Sequence, residues 1–112
     1  MKYFITEAAR SASGSTAYFE FQKGSYDDGE CWKKDSLCIS AGRWDALFLT
    51  ELFAQVFPAF DYYGVTIVCR EEWERVRRLA RAVPEWEQAM GEVAAWADAC
   101  FEEQETFSVL GI

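Results

Sequence analysis

The hydrophobic patterning of this chain predicts an α+β domain, with a mainly antiparallel sheet of four to five strands packed against three helices. Three observations lead there. Short alternating or β-branched runs are interleaved with longer segments of helical period. Pro58 and Pro84 punctuate the helical segments. The chain has 112 residues, 51% hydrophobic and 17% aromatic, enough for one domain to close a core without metal or disulfide support.

The first strand is expected over Lys2 to Thr6 and the second over Ala17 to Gln22. In the second, Tyr18, Glu20 and Gln22 alternate with Ala17, Phe19 and Phe21, the period of a sheet with one buried face. The small polar run Ser11-Ala12-Ser13-Gly14-Ser15 reads as a loop joining the two as an antiparallel pair. A long loop, Lys23 to Asp35, precedes a short strand at Leu37 to Ser40; its length marks it as an exposed excursion of the kind that carries function.

From Gly42 to Phe57 the spacing turns helical. Trp44, Leu47, Phe48, Leu52 and Val56 form one stripe, widened by Leu49, Phe53 and Phe57, so this helix should be the most buried. Pro58 stops it. Val65 to Cys69 is a β-branched run suited to an interior strand. Arg70 to Val83 is a charged helix with Trp73, Val76, Leu79, Ala80 and Val83 on its apolar side, and with Glu71 and Glu74 four residues before Arg75 and Arg78. Pro84 opens a last helix whose seam is Trp86, Met90, Val93, Ala97, Cys100 and Phe101. Phe107 to Leu110 forms either a final strand or an apolar tail packed across the core.

Charge is distributed unevenly. The net charge is -8 with no histidine, and after Arg81 seven carboxylates follow without a further cation. Such a field repels nucleic acid and anionic membrane and attracts basic partners. The arginines of the 70–83 helix invite comparison with a nucleic-acid patch, but Glu71, Glu72 and Glu74 interrupt them. If the last two helices pack antiparallel, these arginines face part of the carboxylate array.

The opening residues have too short an apolar run for a secretory leader, and no stretch approaches the roughly 18 apolar residues of a membrane span. The cytoplasm is therefore the expected compartment. Cys31, Cys38, Cys69 and Cys100 lack paired C-x2-C spacing and read as free thiols, so neither metal nor cofactor is expected.

Lack of histidine removes the Ser-His-Asp and Cys-His mechanisms, and no phosphate-loop, dinucleotide or nucleophile-elbow motif is present. Asp27, Asp28 and Glu30 offer neighbouring carboxylates for a cation or for acid-base work, or simply a polar turn. Cys69, at the start of a helix, would feel a dipole that favours thiolate. The more suggestive pattern is large aromatics beside carboxylates in two loops: Tyr26, Asp27, Asp28, Glu30 and Trp32 in one, Asp61, Tyr62 and Tyr63 in the other. Rings of this kind anchor interfaces and carboxylates speed encounter with a cationic protein; alternatively Trp32 and Tyr63 finish the core.

With its segments Phe60-Asp61-Tyr62-Tyr63-Gly64, Glu72-Trp73 and Phe107-Ser108-Val109-Leu110-Gly111-Ile112, the chain resembles the small acidic immunity proteins of bacterial polymorphic toxin systems. The resemblance implies a non-enzymatic protein that neutralises a basic cognate toxin by covering its active site. Two other readings stay open. One is a small carboxylate- or thiol-dependent enzyme with an aromatic-lined pocket that includes Asp61 and Tyr63. The other is a homo-oligomeric accessory protein whose apolar C-terminus covers a neighbouring subunit.

Overall fold

The computed structural model describes residues 1–112. The elements follow as β1 (Ile5–Thr6), α1 (Glu7–Ser13), β2 (Tyr18–Lys23), β3 (Leu37–Ser40), α2 (Ala41–Ala46), α3 (Leu49–Ala54), β4 (Val65–Cys69), α4 (Arg70–Ala80), α5 (Pro84–Glu103) and β5 (Thr106–Leu110). The five strands form one sheet in the order β1-β3-β2-β5-β4, and every neighbouring pair is antiparallel. The α+β class and the antiparallel sheet are as the sequence predicts; the helices number five, not three.

One sheet face carries Phe19, Phe21, Leu37, Ile39, Val68, Phe107 and Val109, which join Trp44, Leu52, Phe53, Trp73, Val76, Met90 and Val93 from the helices in the core. Trp44 lies stacked on Phe19 with ring centroids 4.0 Å apart. Offset rings packed this tightly add about 0.5–1.5 kcal/mol beyond the area they bury.

Several elements depart from expectation for identifiable reasons. The first strand shrinks to two residues because the N–H groups of Lys2, Tyr3 and Phe4 all donate to the Glu92 carboxylate on α5, at 2.8 to 3.1 Å, and so turn away from the sheet. The expected loop at Ser11–Ser15 is largely helix. Thr6 caps α1 by accepting from the Ala9 N–H, and Gly14 ends it in the left-handed conformation (φ 73°). Because α1 intervenes, β1 does not pair with β2; it pairs with β3.

The 42–57 helix is broken in two at Leu47 and Phe48, with Phe48 at φ 57°. β4 is an edge strand, not an interior one, and Val65 and Ile67 are 44% and 39% exposed. The C-terminal segment is β5, hydrogen-bonded between β2 and β4 and mostly buried, so it is not available to cover a neighbouring subunit. Just beyond it, Gly111 passes so close to the Tyr62 carbonyl that no Cβ would fit.

The alternation in β2 also means something different from what was expected. Glu20 and Gln22 face away from the helices, yet each is only 1% exposed, because the 24–35 loop folds back over them. No helix is long and apolar enough to cross a membrane.

Candidate protein interface

The eight residues singled out by the sequence fall into two groups at opposite ends of β5. The 24–35 loop starts beside Thr106, where Gly24 N–H donates to the Thr106 carbonyl and Ser25 Oγ meets Thr106 Oγ1 at 2.6 Å. The 61–63 turn lies at the other end, where Gly111 and Ile112 N–H groups donate to Gly64 and Tyr62 carbonyls.

Inside the loop most groups are occupied by the fold itself. The Glu20 carboxylate accepts from Trp32 N–H and Lys33 N–H, both at 2.8 Å, from Ser36 Oγ at 2.6 Å and from Gln22 Nε2 at 3.3 Å. A buried carboxylate requires this degree of satisfaction. Trp32 is half-buried and its ring lies 3.9 Å from the Arg10 guanidinium carbon; Arg10 is in turn bonded to Glu7 and to the Ser15 carbonyl.

Lys33 pairs with both Asp28 and Glu30, which leaves Asp27 as the unpaired acid of that cluster. The hydrogen bond from Lys33, and then the one from the Glu30 N–H, hold Asp28 below the usual aspartate range. Tyr26 Oη donates to the Gly29 carbonyl and touches Cys31 Sγ at 3.4 Å, a contact that raises the phenol's pKa.

In the other turn, Asp61 accepts from the Tyr63 N–H, and Tyr62 packs edge-on against Phe19 while donating to Asp45 at 3.0 Å. Burial, and then that contact, push the Tyr62 phenol up. Tyr62 therefore finishes the core. Tyr63 is 75% exposed. Asp61 and Tyr63 line none of the five principal surface clefts.

A third aromatic-and-acid region, absent from the sequence reading, lies where α2 breaks into α3. Two tryptophans build the break. Trp44 Nε1 donates to Thr50 Oγ1 at 2.8 Å across it, and Trp86 Nε1, from α5, donates at 2.7 Å to the Leu47 carbonyl that the interrupted helix leaves free. Phe48 is thereby forced into the left-handed region, where a non-glycine residue is strained by about 1–2 kcal/mol. Its ring is 62% exposed.

Beside it runs a cleft of about 490 Å³ lined by Ala46, Leu47, Phe48, Val83 and Trp86, with Glu51 and Glu85 on its rim. Both carboxylates are exposed and neither is ion-paired within the chain. Ala46 and Leu47 also line a second apolar cleft whose rim is basic, with Lys2 and Arg43. The only available signal for this site would have been the mismatch between a sixteen-residue apolar stripe and the room for it in a core already filled by Trp44 and Phe53.

The thiols are dispersed. Cys38 and Cys100 are buried; burial, and then the neighbouring Glu20 and Glu7, push the Cys38 thiol up to about 12, and burial also raises Cys100. Cys69 does sit at the start of α4, where its N–H donates to Glu72 at 3.0 Å. No group of three or more Cys, Asp and Glu side chains converges as a metal ligand set. No family model, curated protein or solved structure matches this chain.

Proposed function

We propose that this chain is a non-catalytic binding protein for a basic protein partner, and that it acts in the cytoplasm as an immunity protein, covering the active cleft of a cognate toxin. One observation carries the reading. At the α2–α3 break an aromatic ring is held out in a strained conformation, over an apolar cleft bordered by two free carboxylates. An interface of this kind buries the ring and the cleft at its centre and pairs the rim charges with Arg or Lys. The net charge of -8 draws a cationic partner from a distance, and Glu51 and Glu85 set its register on arrival. Lys2 and Arg43, beyond Leu47, ask for an acidic or neutral patch at the other end of the same footprint.

Titration against the protein encoded by the adjacent gene tests the reading. A tight one-to-one complex that suppresses the partner's activity is expected, with an association rate that falls as salt is added. A partner that neither binds nor loses activity removes the proposal.

A further inference from the structure

We propose that the cleft beside Phe48 is a socket for a single arginine side chain of the partner; this rests on the binding-protein reading above and names what fills the site. The cleft brings different kinds of wall together. Leu47 and Val83 are aliphatic, Phe48 and Trp86 are aromatic, and Glu51 and Glu85 are carboxylates with no ion-pair partner in the chain. A long cationic side chain matches all of them. Its methylene stem packs on the aliphatic wall, and its charged head is attracted both to the rings and to the carboxylates at the rim.

Other occupants leave something unsatisfied. A leucine or phenylalanine would fill the apolar walls, but the surface carrying it would strip water from Glu51 and Glu85 without supplying a donor, and a carboxylate covered without a partner is costly. An acidic side chain would meet like charge on the rim. Of the two cations, arginine suits the site better. Its guanidinium is planar, weakly hydrated and able to stack on aromatic faces, and its five N–H donors can serve both carboxylates at once; a lysine ammonium is a compact, strongly hydrated point charge.

The walls are set before anything enters. Trp86 is fixed by its Nε1 bond to the Leu47 carbonyl at 2.7 Å, and the Phe48 backbone is held at φ 57°. Glu51 and Glu85 stand in the first turns of α3 and α5. A site preorganised in this way loses little freedom on binding. The neighbouring cleft supplies direction. It shares Ala46 and Leu47 but is rimmed by Lys2 and Arg43, so a basic side chain is admitted on one side of Leu47 and repelled on the other. At about 490 Å³ the socket falls within the range of small-ligand pockets, so a blocked amino acid can serve as its probe.

N-acetyl-arginine methylamide, titrated into the intact chain at constant ionic strength, tests this with no protein partner present. NMR signals of Leu47, Phe48, Val83 and the Trp86 Nε1–H should shift saturably, with a dissociation constant on the order of 10 mM. The citrulline analogue, which keeps the shape and loses the charge, should bind at least about fivefold more weakly, and the lysine analogue should fall between the two. Glu51→Gln with Glu85→Gln, both exposed positions, should abolish the preference for arginine over citrulline while the spectrum away from the cleft stays unchanged. Citrulline binding as tightly as arginine, shifts outside the cleft, or no saturable shift by about 100 mM would each overturn the proposal. Those results leave the broader reading intact if the adjacent gene's product still forms its complex. Failure of that complex, with arginine still bound in the cleft, removes the toxin reading and not the socket.

Discussion

The 24–35 loop and the α2–α3 break solve the same backbone problem in opposite ways. The three non-glycine residues with positive φ are all aromatic: Tyr26 at 60° and Trp32 at 62° in the loop, Phe48 at 57° at the break. In the loop the strain is offset locally. Trp32 gives its N–H to Glu20 and its ring to Arg10, and Tyr26 gives its hydroxyl to the Gly29 carbonyl. At the break, Trp44 and Trp86 hold the backbone, and the ring they force outward is left mostly in water. Aromatics beside carboxylates thus have two meanings, and the groups already engaged within the chain tell them apart. Residues that the fold has satisfied are structural, whereas a strained ring that contributes little to the fold is available to a partner.

Breaking the loop's anchor should have the largest effect on stability. Glu20→Ala leaves the Trp32 and Lys33 N–H groups and the Ser36 hydroxyl without an acceptor in a buried place, and should lower stability by about 2–4 kcal/mol. Urea unfolding gives the size, and faster exchange of the Trp32 and Lys33 amides gives the location. A loss under about 1 kcal/mol with unchanged exchange would show that the loop is held by something else.

Phe48 should behave in the opposite sense. Phe48→Ala is expected to weaken the proposed complex by about 2 kcal/mol or more, near thirtyfold, as truncation of a central aromatic anchor does. Phe48→Gly should do the same while leaving folding stability unchanged or raising it by up to about 1 kcal/mol, since glycine relieves the left-handed strain at some cost in chain entropy. Calorimetric titration beside thermal unfolding separates the two quantities. A fall in stability with intact binding would make Phe48 a packing residue.

How much of this was legible follows from the range of the interactions. β2, β3, α4 and α5 were readable, and β4 as a strand though not as an edge, because their signals are local: alternation in Tyr18–Gln22, the β-branched run at Val65, and Pro84 at the first turn of α5; Phe107–Leu110 stayed open between strand and tail, because its place between β2 and β4 is set by distant partners. The remainder depends on distant partners. The first strand is cut short by Glu92, roughly ninety residues on, and the helix break depends on Trp86, 39 residues after Leu47. α1 escaped because its buried side is Arg10, not an apolar stripe. The loop's aromatic and acidic composition was visible, but Lys33 and Arg10 decide which of its groups are free. The cleft at Phe48 was invisible because its walls come from α2, α3 and α5, and no sequence window contains it.

The finest distinction between the two regions is electrostatic. Asp28 lies below the ordinary aspartate range chiefly because Lys33 bonds to it, so it adds stability above the unfolded value near 3.9 that is lost as pH falls through the lower folded value. Lys33→Met removes that largest cause. The Asp28 titration, followed by carbon NMR of its carboxyl, should then rise toward the ordinary value, and the stability difference between wild type and variant should shrink as pH drops below about 4. The same substitution releases Asp28 and Glu30 from their internal cation. If the α2–α3 break alone steers the partner, the association rate rises only by the small amount that one extra net negative charge contributes, whereas Glu51→Gln with Glu85→Gln lowers it clearly. A large gain from Lys33→Met with no loss from the glutamine pair would move the steering surface to the loop, because a carboxylate accelerates encounter in proportion to its freedom from partners in its own chain.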